Sequence, residues 1–156
     1  MKIRNLIASL SFLLVVAPLS GQTAFNGEWK IDTNKSAVPT DQLYLSKINI
    51  QVKADSILTT RVYQSPDGQE FPFQENMSLN GKETKLTIYD MPRVTKAQKG
   101  EGGSILIDSK TTFYGNGGED NLTAQETWKV DGNTLVLNMV NQMSGQEYKG
   151  TFYYNK

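Results

Sequence analysis

From Gly27 to the C-terminus, short runs with apolar side chains at every second residue recur between turns and polar connections, and no segment holds a sustained helical period. Alternation over short runs is the mark of half-buried strands, because successive Cβ atoms point to opposite faces of a sheet. Leu122, Ala124, Trp128 and Val130 alternate with Thr123, Gln125, Thr127 and Lys129, and Tyr148, Phe152 and Tyr154 alternate with Lys149, Thr151 and Tyr153. Turn residues cut these runs. Ser65-Pro66-Asp67-Gly68 supplies a preset φ and then a residue that accepts positive φ. Asn80-Gly81 is the pair most often found in a two-residue hairpin, and Asp131-Gly132-Asn133 and Ser144-Gly145 also read as turns.

The expected strands are 27–32, 43–52, 56–63, 71–79, 84–90, 104–114 and three more in the last third of the chain. Tyr44, Ile48, Ile50 and Val52 are expected to share one face of the second strand, and Phe71, Phe73, Met77 and Leu79 one face of the fourth. The stretch 91–99 is less regular, and Pro92 there argues for an edge, a bend or a bulge. Residues 100–103 and 115–120 read as loops. Eight to ten strands with short links predict an antiparallel meander. Closing it into an all-β, up-and-down barrel would remove its edges.

Residues 1–21 do not belong to this pattern. Lys2 and Arg4 precede an apolar run, 6–19, that ends in small residues, which is the layout of a cleavable secretory signal. A spanning helix wants roughly 20 apolar residues, so a membrane anchor fits less well. Cleavage after Gly21 or Ala24 would leave one exported domain, 22–156, with no stable membrane anchor. Without Lys2 and Arg4 the chain carries 14 basic and 16 acidic residues. That balance offers nothing to nucleic acid. The chain has no cysteine, so packing and not disulfides must hold it.

The opening of the first strand, Gly27-x-Trp29, resembles the first motif of the calycins, which include lipocalins, fatty-acid-binding proteins and avidins. The stretch from Trp128 to Leu135 resembles a late hairpin of lipocalin-like proteins, and residues 26–36 resemble small exported lipocalin-like proteins of Bacteroidetes type. The resemblance implies a lipocalin-like barrel in which Gly27 and Trp29 form a plug at one end. It also implies a basic side chain from near the last strand over the indole, with Lys149 the first candidate and Lys156 the second. The helical pair that fatty-acid-binding proteins carry between their first strands is absent from the pattern.

With no histidine and no cysteine, the chain cannot build a Ser-His-Asp triad, a thiol nucleophile or a His–Cys zinc site. No enzyme activity, cofactor or metal is expected. Three charged residues nevertheless fall on apolar strand faces: Arg61, Glu75 and Glu126. Buried charges need partners. They read either as a polar cluster that orients a ligand head group or as an Arg–Glu pair that is merely structural. Two facing carboxylates could also serve glycoside hydrolysis, but the sequence supplies no distance between Glu75 and Glu126. Phe73, Met77 and Tyr148 join the three as candidate interior, ligand-lining residues. Met77, Met91, Met139 and Met143 read either as an adaptable pocket or as ordinary core. Asn116, Glu119, Asp120 and Asn121 offer oxygen ligands without calcium-loop spacing. Two functions stay open: an exported barrel binding a small apolar or amphipathic ligand, or a filled, ligand-free barrel that meets a protein partner.

Overall fold

A computed structural model describes residues 20–115 and 117–156. The expected signal segment lies outside these, except for its last two residues. A single helical turn, α1 (Ser20–Thr23), leads into ten strands: β1 (Gly27–Ile31), β2 (Tyr44–Lys53), β3 (Ser56–Gln64), β4 (Glu70–Ser78), β5 (Asn80–Ile88), β6 (Met91–Lys99), β7 (Ile105–Gly115), β8 (Gly118–Asp131), β9 (Thr134–Met143) and β10 (Gln146–Asn155). All pairings are antiparallel, and the order across the sheet is β4-β3-β2-β1-β10-β9-β8-β7-β6-β5. Strands consecutive in sequence therefore pair, except β4 and β5, and β1 pairs with β10. This is an up-and-down barrel of ten strands. The chain-consecutive strands β4 and β5 meet at its seam without a hydrogen-bonded ladder among the described residues.

Several local expectations are corrected. Asn80-Gly81 is not the turn; the chain bends at Leu79, whose N–H donates to Asp55 O at 2.8 Å, and Asn80 already begins β5. The hairpin nearby is instead Tyr89-Asp90, with Ile88 paired to Met91 and positive φ at both central residues. Positive φ at both positions matches the twist of the flanking strands. The irregular stretch 91–99 is the full strand β6. Most of the expected 115–120 loop is strand, because β7 runs to Gly115 and β8 starts at Gly118. In β2 a bulge between Leu45 and Lys47 shifts the parity, so Leu45, opposite Tyr63, takes the inward place expected for Tyr44.

One end of the barrel is a dry core. Phe25, Trp29, Ile50, Ile57, Met77, Leu79, Ile105, Trp128 and Leu135 are buried together. Trp29 Nε1 donates to Phe25 O at 2.7 Å, so its polar atom is satisfied without water. No helix lies between β1 and β2; residues 32–43 form a connection pinned by Ser36, whose Oγ accepts from Tyr153 N–H at 2.9 Å. Towards the other end, where the β3–β4, β5–β6 and β9–β10 turns lie, the inward-facing Tyr63, Phe71, Met91, Phe113 and Leu122 are only half-buried.

Candidate functional site

Between these two ends lies a layer of polar side chains, supplied by β3, β4, β6, β7, β8 and β9. Strand parity sets it: the inward positions of β3 run Ile57, Thr59, Arg61, Tyr63, and those of β8 run Ala124, Glu126, Trp128. Arg61 is 1% exposed and Glu75 2%. Arg61 Nη1 donates to both oxygens of Glu126, at 2.8 and 3.0 Å. Its guanidinium carbon lies 5.0 Å from the ring centroid of Trp128, and Trp128 Nε1 donates to Glu126 Oε2 at 2.7 Å. Arginine, glutamate and tryptophan thus form one closed triangle.

A second pair stands beside the first. Arg93 Nε donates to Glu75 Oε1 at 3.2 Å, and Arg93 Nη1 to Thr111 Oγ1 at 3.0 Å. Thr95 Oγ1 also donates to Glu75 Oε1. Arg93 lies 5.8 Å over the ring of Phe73, which stacks on Tyr63 with centroids 6.0 Å apart. Cross-strand register puts Asn141, Ala124, Ser109 and Thr95 in one row, which carries Asn141 and Ser109 towards the Glu75 pair.

The two pairs share one electrostatic field. Burial pushes the Glu126 carboxyl up, but the charge and hydrogen bonds of Arg61, with help from Arg93 and Trp128, hold it below its ordinary value. Burial alone would lower Arg61; Glu126 first, then Tyr63 and Glu75, raise it instead. Burial raises the Tyr63 phenol, against the opposing pull of Arg61. Tyr63 is coupled to Arg61 in this way, but its hydroxyl reaches neither free guanidinium nitrogen in hydrogen-bonding geometry. Arg61 Nε and Nη2, Glu75 Oε2, Ser109 Oγ and Asn141 Oδ1 are buried with no partner among the described residues. A buried polar group left so costs about 1–3 kcal/mol.

Arg61, Glu75 and Glu126 all face inward, and each glutamate is held by its own arginine. Glu126, kept ionised, is not poised as the acid of a glycosidase pair. Phe73 lies beside Arg93 at the polar layer. Met77 is instead fully buried in the dry core, away from the half-exposed end. Tyr148 is 58% exposed, on the protruding β9–β10 hairpin. Lys149 is displaced from the role given to it: it is exposed and paired with Glu147, while Lys156 Nζ lies 4.7 Å over Trp29. Gly27 stands at φ 126°, a backbone that residues with a Cβ rarely adopt, whereas a Cβ there would make only an ordinary contact, 3.5 Å, with Lys156 Cε. Of the methionines, Met77 is core, Met91 and Met139 are half-buried, and Met143 is exposed. Asn116 lies outside the described residues, and the oxygens of residues 119–121 do not converge on a centre: Asp120 accepts from Ser144 Oγ and Asn121 N.

Arg93, Thr95, Ser109, Thr111 and Asn141 were not anticipated from sequence. On β6 the apolar residue Val94 points outward and Arg93 inward, so hydropathy alternation misleads there. A usable signal exists in composition. The chain has three arginines, and the two beyond the N-terminal segment are both buried inside the barrel. An open groove of about 670 Å³ crosses the outer face of β5–β9 past Lys85, Lys96, Asp108 and Lys110, whose charges are solvated.

No protein-family model matches the chain, and no curated protein matches it in sequence. Among solved structures it is similar to a fatty-acid-binding protein from Manduca sexta, at 12% identity and a TM-score of 0.49, over 85% of this chain and 99% of that one.

Proposed function

We propose that this chain is an exported, lipocalin-like binding barrel, not an enzyme, that seats a small amphipathic molecule in the half-exposed end with its polar head on the Arg61–Glu75 layer. The carrying observation is the set of orphaned donors and acceptors at that layer: Arg61, Glu75 and Ser109 are buried almost completely, and Asn141, half-buried as a side chain, hides its Oδ1 from solvent. They stand where half-buried aromatic walls give way to the dry core. A few convergent polar groups beneath apolar walls are what a small-molecule site requires. The dry core fills the far end, so the ligand would occupy only part of the barrel.

The Gly27-x-Trp29 start and residues 26–36 support a place among small exported lipocalin-like barrels of Bacteroidetes type. The 1–21 segment supports export to the periplasm or beyond; the mass of the secreted protein would show removal of that segment if this holds. Binding is tested by native mass spectrometry of protein purified without denaturation, and by Trp128 emission against a panel of lipophilic probes. A co-purified small molecule, or a saturable change in emission, is expected. An unliganded mass together with no response to any probe would favour a filled barrel that acts through its outer surface.

A further inference from the structure

We propose that the polar layer recognises an uncharged head group bearing both a hydrogen-bond acceptor and a donor, of the carboxamide type, in preference to an ionised carboxylate or an ammonium; this rests on the ligand-binding reading above. The first ground is charge. The layer contains two arginines and two glutamates, each arginine already paired to a glutamate. The described lysines lie outside this layer, none of them buried. A fully charged head group would therefore add an uncompensated charge to a neutral, buried cluster, which is strongly unfavourable.

The second ground is the kind of atom left over. Arg61 Nε and Nη2 can only donate, and Glu75 Oε2 and Asn141 Oδ1 can only accept, while Ser109 Oγ can do either. A carboxylate would answer the arginine nitrogens but place its lone pairs against Glu75 and Asn141. An ammonium would answer those two and leave Arg61 facing a like charge. An amide presents a carbonyl oxygen and an N–H₂ together, and can satisfy both kinds. Sites built to hydrogen-bond a particular group reject analogues lacking it, because their own buried polar atoms are then left unpaired.

The test uses three probes with one tail: lauramide, laurate and laurylamine, titrated below their micelle concentrations at mildly alkaline pH and followed by Trp128 emission and calorimetry. Lauramide is expected to bind at least about tenfold more tightly than either charged probe, equivalent to about 1.4 kcal/mol. Laurate or laurylamine binding as tightly as lauramide, or more so, would overturn the proposal while leaving the ligand-binding reading standing. Failure of all three to bind would sink that reading, and the proposal with it. Ser109→Ala and Asn141→Leu leave both ion pairs intact, and circular dichroism would verify their folding. Each should reduce the lauramide preference to within about threefold while the tail still binds; an unchanged preference in both would place the head group elsewhere and reject the assignment.

Discussion

Arg61 reaches from β3 across the barrel to Glu126 on β8 and spends a single nitrogen, Nη1, on both carboxylate oxygens. The geometry neutralises the pair yet leaves Nε and Nη2 unpartnered among the described residues. A purely structural pair would gain most by using two nitrogens side by side, since parallel N–H···O bonds are the stronger arrangement. Here Trp128 takes part of that role, covering the guanidinium face and donating to Glu126.

Removing one partner should be far worse than removing both. Glu126→Gln keeps an acceptor for Trp128 Nε1 but strands the Arg61 charge in the interior, and should lower stability by about 3–5 kcal/mol. Arg61→Met combined with Glu126→Gln should recover much of that loss, because no buried charge of this pair remains. Urea unfolding of the two single variants and the double variant gives the coupling directly. A double variant as unstable as the sum of the singles would show that the pair is not a coupled unit.

Acid should act through the same carboxyl. The folded pKa of Glu126 lies below its ordinary value, so the stability it contributes is fully present above the unfolded value. An unfolded glutamate protonates near about pH 4.3. The contribution should therefore fade as the pH falls from about 4.3 through the lower folded value. Urea midpoints measured at descending pH should drop more steeply in this window for the wild type than for Glu126→Gln. Parallel slopes would mean that Glu126 does not drive acid loss.

Two lysines separate the plug geometry from its alternative. Lys156 Nζ sits over Trp29 and also donates to Ala24 O at 3.3 Å. Lys156→Ala should cost about 0.5–1 kcal/mol, the range of an exposed cation–π contact. Lys149→Ala should stay within about 0.5 kcal/mol of wild type, as surface changes do. Trp29→Ala should cost about 3–5 kcal/mol, because it empties the closed end of the barrel. The reverse order of the two lysine variants in thermal unfolding would restore Lys149 as the partner of the indole.

Period-two alternation is a strong signal where one face is mostly apolar, and so the inward face of β8 and the second half of β10, Phe152 and Tyr154, are legible from sequence, while Tyr148 on the protruding start of β10 is not. The same rule marked Arg61, Glu75 and Glu126 as inward, because each interrupts an apolar face. It failed on β6, whose inward face is Arg93, Thr95 and Ala97 against an outward Val94. A polar layer inverts hydropathy, so the partner of Glu75 could not be found by looking for apolar positions. The turn errors have a different origin. Asn80-Gly81 has ideal hairpin chemistry, yet the chain turns one residue earlier because Leu79 drops into the core and its N–H is taken by Asp55 O. Tyr89-Asp90 forms the tight turn with no glycine, which local propensity does not favour.

The seam between β4 and β5 should be where the barrel opens first. No ladder joins these strands among the described residues, so side chains bridge the gap: Glu75 to Arg93 and Thr95, and Tyr89 Oη to Pro72 O at 2.7 Å. Strands β8 and β9, by contrast, are hydrogen-bonded on both sides. Backbone amides with few protecting bonds exchange through local openings well below the global unfolding energy. Hydrogen exchange should therefore be fastest along β4 and β5 and slowest in β8 and β9. Glu75→Gln keeps the shape and an acceptor for Thr95 but removes the charge that holds Arg93, so it should speed exchange in β4, β5 and β6 more than in β9. Uniform acceleration over all strands would show that Glu75 supports the whole barrel and not its seam, and equal protection of β4 and β8 in the wild type would show that the seam is closed by bonds other than these side chains.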